Sequence, residues 1–150
     1  MLLAIDPGKN TAAVVLDERG QIIHKDLLRC EDDEQSFWDF YCEFDRLVRG
    51  YNINRAVIEK FAMFGFKGSV TQHFFMGRVV QSIVLVLRDR GIVYGYVPSR
   101  DVRQWLCGNF KAKPSEIKRA LEDMGYTERM NEHVRDALAL GVFYQQNYFA

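Results

Sequence analysis

The stretch that most limits the fold is "LLAIDPGKNTAAVVL", residues 2–16. Four apolar residues run into Asp6, residues 7–10 turn the chain, and a second apolar run begins at Thr11. A strand apolar at every position is usually buried on both faces, inside a sheet that helices cover. A carboxylate closing such a strand is costly unless a cation, a metal or backbone amides meet it. The opening of the chain therefore predicts a buried hairpin with an acid held at one end.

The rest of the sequence says what surrounds that hairpin. Strands are expected over 2–6, 11–17 and 21–28, an antiparallel meander with "DERGQ" as its second turn. In "EDDEQSFWDFYCEFDRLVRG", Phe37, Tyr41, Phe44 and Val48 recur at helical spacing, with acids crowding the first turns and Gly50 at the end. "RAVIEK", 55–60, is a short strand that again runs apolar into a carboxylate, Glu59. A long helix is expected over 70–90, and a strand over 92–97 before Pro98. Helices then follow over 99–106, 114–124 and 131–146. A strand that returns after a helix becomes a parallel neighbour by a right-handed crossover. The predicted architecture is a single α/β domain. It has a five-stranded mixed sheet, three antiparallel strands then two parallel ones, with helices on both faces.

Composition allows this without staples, since apolar residues make up 48% of 150 residues. The three cysteines, Cys30, Cys42 and Cys107, form no C-x-x-C pair, so free thiols are expected and a zinc site is not. No basic segment precedes a long apolar run at the N-terminus, and no unbroken apolar stretch approaches the ~20 residues of a membrane helix. The expectation is a soluble cytoplasmic protein without a membrane partner. Net charge is zero, yet residues 31–45 hold seven acids and no base, whereas residues 100–119 hold six bases and two acids. Such runs are often just solvated helix faces. The alternative is one face suited to a polyanion.

Function turns on four side chains. In the predicted sheet, strands one and four end at the same edge, which sets Asp6 beside Glu59. In "NEHVRDALAL", His133 and Asp136 are three apart and share a helical face, followed by small and apolar residues that let this helix lie close on the sheet. Asp6, Glu59, His133 and Asp136 together make an oxygen-rich donor set with one imidazole. That set suits Mg²⁺ or Mn²⁺. Two such ions ~3.5–4 Å apart serve phosphodiester hydrolysis. His24 and His73 are expected to be ordinary structural or solvent-facing histidines.

The order of these landmarks resembles the RuvC family of Holliday-junction resolvases in the RNase H-like superfamily. "AIDPG" looks like its first acidic motif, "AVIEKF" its second and "HVRDALAL" its last, and the central helix and "KAKPSEIKRAL" are similar to its long helix and basic helix start. The resemblance covers nearly the whole chain. It implies a homodimer joined through the long helix, and paired nicking of four-way DNA junctions with two Mg²⁺ or Mn²⁺ per site to leave 5′-phosphate and 3′-hydroxyl ends. It also implies an aromatic residue after Glu59 that intrudes on the junction, for which Phe61, Phe64 and Phe66 are the candidates. Lys111, Lys113, Lys118 and Arg119 are the expected phosphate contacts. His133 is a departure from members with aspartate there, and zero net charge is less basic than a junction binder suggests. Three rivals carry distinguishing marks. A nuclease trimming ribosomal RNA precursors would be monomeric, an actin-like ATPase needs a second lobe, and a non-catalytic DNA-structure binder would lack one of the acids.

Overall fold

The computed structural model describes residues 1–60 and 68–149. β1 (Leu2–Asp6) pairs antiparallel with β2 (Asn10–Leu16), and β2 with β3 (Ile22–Arg29). β4 (Arg55–Glu59) lies parallel to β1, and β5 (Val93–Val97) lies parallel to β4. The sheet order is β3-β2-β1-β4-β5, which places the all-apolar β1 at its centre as expected. The two parallel strands are reached through α1 (Glu34–Gly50) and α2 (Val70–Asp89). The chain then forms α3 (Ser99–Cys107), α4 (Pro114–Asp123) and α5 (Glu132–Tyr148). Every strand and helix predicted from the sequence is present.

Strand parity distributes the core into two layers. Leu3, Ile5, Ala56 and Ile58 point to one side, where they meet Phe40 and Phe44 of α1 and Ile83 and Leu87 of α2. Leu2, Ala4 and Val57 point to the other, where they meet Ile117 and Leu121 of α4 and Leu138 of α5. Successive side chains alternate between sheet faces. Asp6 and Glu59 therefore continue the second set, toward α5. Part of the acidic run has structural work: Asp33 caps α1 by accepting from the Ser36 N–H at 2.8 Å, and Asp45 pairs with Arg90 across α1 and α2 at 2.9 Å. The cysteines are free thiols, with Cys30 buried.

By length and composition α2 is apolar enough to cross a membrane. Its apolar residues form no unbroken run, since Gln72, His73, Arg78, Gln81 and Ser82 interrupt them. The Arg78 guanidinium lies 4.1 Å from the Phe37 ring centroid and 3.7 Å from Asp32. Val79, Ile83, Val86 and Leu87 are fully buried in the core, as in a helix that belongs to a globular layer. The opposite stripe carries Val70 (71% exposed), Phe74 (70%) and Leu85 (49%). Gly77 lies between them with open space where a Cβ would stand.

Candidate active site

Two strand ends and one helix make the site. The parallel register pairs Ile5 with Ile58, so Asp6 and Glu59 are the next residues along adjacent strands. The turn after Asp6 is closed by Thr11, which is fully buried; its hydroxyl accepts from the Gly8 N–H at 3.2 Å and donates to the Gly8 carbonyl at 3.0 Å. This local ring of bonds fixes where β1 ends and where its carboxylate projects.

α5 supplies the other side. Asn131 caps it by accepting from the His133 N–H at 2.8 Å, which orients the first turn. Ala137 is buried, and at Gly141 a Cβ would stand 2.9 Å from the Ala4 Cβ and 3.0 Å from Leu16 Cδ1. The helix therefore lies as close on β1 and β2 as backbone geometry permits. That approach carries His133 to the strand end, with Nδ1 3.7 Å from Oδ2 of Asp6.

The carboxyls are crowded and partly desolvated. Burial pushes the Asp6 carboxyl above its ordinary range, and the nearby Asp136 adds to the rise, while hydrogen bonding with Glu59 opposes it. Glu59 is pushed up to about 9, first by burial and then by its hydrogen bond and charge repulsion with Asp6. Two carboxyls in such contact repel when both are ionised, which favours a proton or a cation between them. Asp136 rises to about 6, again by burial first and by the charge of Glu59 second. Arg103 of α3 is a cation whose charge works against both of the last two rises, as does His133. Sequence reading counted Arg103 only as one base in a basic stretch. Its signal was indirect: α3 starts just beyond Val97, which pairs with Glu59.

The four donors predicted from the sequence therefore meet at one sheet edge. Among the described residues no three His, Cys, Asp or Glu side chains are yet drawn in close enough to enclose an ion. The chemistry of the set fits a hard divalent cation: three oxygen donors, each with a proton affinity raised first by burial, plus one imidazole.

No protein-family model matches the sequence, and no curated protein matches it. The likeness is in three dimensions. Thermus thermophilus RuvC superposes with a TM-score of 0.77 at 16% identity, over 97% of this chain and 95% of that one. The same protein in complex with Holliday junction substrate gives 0.80 at 15% identity, over 97% and 94%. The yeast mitochondrial Holliday junction resolvase gives 0.64 at 12% identity, over 97% and 77%. The chain has the RuvC fold.

On this RuvC fold the expected phosphate contacts lie on the surface. Lys111, Lys113, Lys118 and Arg119 are all exposed. Lys118 lines a groove between α4 and α5 with Arg129 and Arg135, whereas Arg119 lines a separate hollow beside Cys107. Neighbouring helix positions point in different directions, which is why Lys118 and Arg119 line different hollows. Arg129 and Arg135 escaped the sequence reading because they lie beyond that run. Phe61, Phe64 and Phe66 fall outside the described residues. His24 stacks on Tyr51 with ring centroids 5.0 Å apart, and His73 Nδ1 lies 2.9 Å from the Ser69 carbonyl.

Proposed function

We propose that this chain is a metal-dependent endonuclease that resolves four-way DNA junctions as a homodimer. The observation that carries the reading is the meeting of Asp6, Glu59, Asp136 and His133 at one edge of a RuvC-fold sheet. Further support comes from what the similar structures hold. Thermus thermophilus RuvC and the fowlpox virus resolvase were each solved with Holliday junction DNA; the latter matches with a TM-score of 0.56 at 15% identity over 97% of this chain and 99% of that one.

Asp6, Glu59, Asp136 and His133 would hold two Mg²⁺ or Mn²⁺ ions. When bound, these supply Lewis acidity for phosphodiester hydrolysis and charge stabilisation at the leaving 3′ oxygen. The chain's own residues prepare the site. Asp6, central and the most enclosed of the four, is the group best placed to be shared. Glu59, whose proton affinity burial and Asp6 raise, would be ionised as a ligand, because a positive charge nearby favours the carboxylate. Arg103 offers a fixed cation beside the carboxylates, where a substrate phosphate would otherwise meet only acids. The basic residues of α4 and its flanks position the backbone without reading sequence. The exposed stripe Val70, Phe74, Leu85 on α2, with Gly77 permitting close approach, suits a two-fold contact with a second copy.

The test is a labelled four-way junction incubated with Mg²⁺ or Mn²⁺, beside a linear duplex of the same sequence and a structured RNA. Paired nicks in the junction alone are expected. Cleavage of the RNA alone, or junction binding without cleavage in either metal, would overturn the reading.

A further inference from the structure

Phe110 sits where the fold gives an aromatic ring no shelter. The turn joining α3 to α4 is tightly bonded. Gly108 takes a left-handed conformation (φ 70°) and its N–H donates to the Gln104 carbonyl at 3.0 Å. Asn109 accepts from the Lys111 N–H at 2.9 Å through its side chain, and from the Ala112 N–H at 3.0 Å through its carbonyl. Ala112 is buried, so it, and not Phe110, anchors the turn to the core. The Phe110 ring is left 44% exposed on a rigid support.

Charge surrounds that ring. The Arg100 guanidinium carbon lies 5.2 Å from its centroid and the Lys111 Nζ lies 5.5 Å away. Among the described residues, no other exposed aromatic ring carries two cations in this way. Arg100 and Arg103 are three apart on α3 and share a face. Arg103 in turn acts on Glu59 and Asp136. A line of groups thus runs from the carboxylates through Arg103 and Arg100 to Phe110 and Lys111.

We propose that Phe110, framed by Arg100 and Lys111, is a stacking platform for an unpaired nucleobase of the strand that passes the active site. The inference rests on the nuclease reading and adds to it a contact with a base, where the lysines and arginines supply only contacts with phosphate. An alternation of cation, ring and cation matches the phosphate, base and phosphate of a single strand. A base stacked on an exposed ring outweighs a solvent-exposed cation–π contact, so the base displaces whichever cation covers the ring. The displaced cation is then free to meet the adjoining phosphate.

The experiment compares the full-length chain with Phe110→Ala, Phe110→Leu and Phe110→Trp in metal-free buffer. The ligands are an oligothymidine and an abasic strand of equal length and charge. The wild type should prefer the base-bearing strand. Phe110→Ala and Phe110→Leu should each lose about tenfold on that strand and nothing on the abasic one, while Phe110→Trp retains the preference. Leucine keeps the apolar bulk, so a loss shared by both substitutions is not a failure of folding. Absence of a base preference in the wild type, or equal weakening on both strands, overturns the proposal. A wild type that binds and cuts a four-way junction while showing either result sinks only this inference. A wild type inert on the junction sinks the nuclease reading instead.

Discussion

His133 Nδ1 lies 3.7 Å from Asp6 Oδ2, which brings the first turn of the last helix onto the end of the first strand. Glu59 completes the contact from the adjacent strand. The site exists only when the whole chain is folded, because its donors come from the first, fourth and last parts of the sequence. Substitutions there should separate catalysis from binding. Asp6→Asn and Glu59→Gln keep shape and remove charge. Each is expected to lower junction cleavage by several orders of magnitude. Junction binding should be kept or slightly tightened, since one fewer anion faces the phosphates. Single-turnover cleavage and a gel-shift titration on the same preparations check this, and loss of binding in a folded variant would refute it.

The raised carboxyls make the metal-free protein sensitive to pH. Glu59 moves from 4.5 to about 9 and Asp136 from 3.8 to about 6, so the folded state holds protons that the unfolded chain has released. Stability must then fall as pH rises through this window. The expected course is highest stability below about pH 3.8 as far as these groups decide it, declining by a few kcal/mol toward about pH 9. Glu59→Gln should flatten the decline. Added Mg²⁺ should raise the melting temperature most at the alkaline end, and EDTA should undo that gain. Denaturant unfolding at several pH values, with and without the ion, measures both effects. A metal-free curve that rises with pH through this range would contradict the arrangement of the carboxyls.

Gly141 holds α5 against the sheet. An added Cβ would meet the Ala4 Cβ at 2.9 Å, and Ala4 is fixed by the central strand and cannot rotate away. Gly141→Ala should therefore push the helix outward. Overpacking costs about 1–3 kcal/mol, against which alanine returns about 1 kcal/mol of helix propensity. The larger consequence should be functional, because His133 and Asp136 ride on the same helix. More metal should be needed for half-maximal cleavage, even if the melting temperature changes little. Unchanged metal dependence would show that α5 has slack.

How far the sequence reached follows from the same residues. β1 and β2 were legible because an unbroken apolar run has few places to go, and Asp6 and Glu59 because each interrupts such a run at its end. His133 and Asp136 were legible from helical spacing. Arg103, Arg129 and Arg135 were not, because what distinguishes them is the neighbour each meets across the fold. The split between Lys118 and Arg119 was hidden for a related reason: adjacency in sequence is divergence on a helix. Phe110 carried no pattern at all, since its meaning lies in the two cations that other parts of the turn and α3 bring to it.

The uncovered stripe on α2 predicts assembly. Phe74 and Leu85 are 70% and 49% exposed on a helix whose other side is core. Phe74→Arg together with Leu85→Arg should leave the fold intact and convert a dimer into a monomer. Sedimentation at micromolar concentration should give twice the 17.5 kDa chain mass for the wild type and the single mass for the variant. The variant should still cut one strand of a junction but lose the pairing of the two nicks. A wild type that sediments as one chain would refute the homodimer.

His133 is the donor on which the choice of metal should depend. Its side chain is half exposed, yet Nδ1 faces the most enclosed carboxylate of the site. Imidazole is a softer ligand than carboxylate, so the site should favour Mn²⁺ more than an all-oxygen set would. His133→Asp is expected to keep cleavage and to move the preference toward Mg²⁺. It should also make the metal-free site less stable near neutral pH, because a further acid joins three whose proton affinities are already raised. His133→Ala should lose most of the activity in both metals. A general base at this position would make the aspartate variant slow in Mn²⁺ and Mg²⁺ alike. A residue that only caps or packs α5 would leave the alanine variant nearly as fast as the wild type. Cleavage rates for the three proteins, each titrated with each metal, separate these outcomes, and only the exchange of preference with activity retained agrees with a ligand.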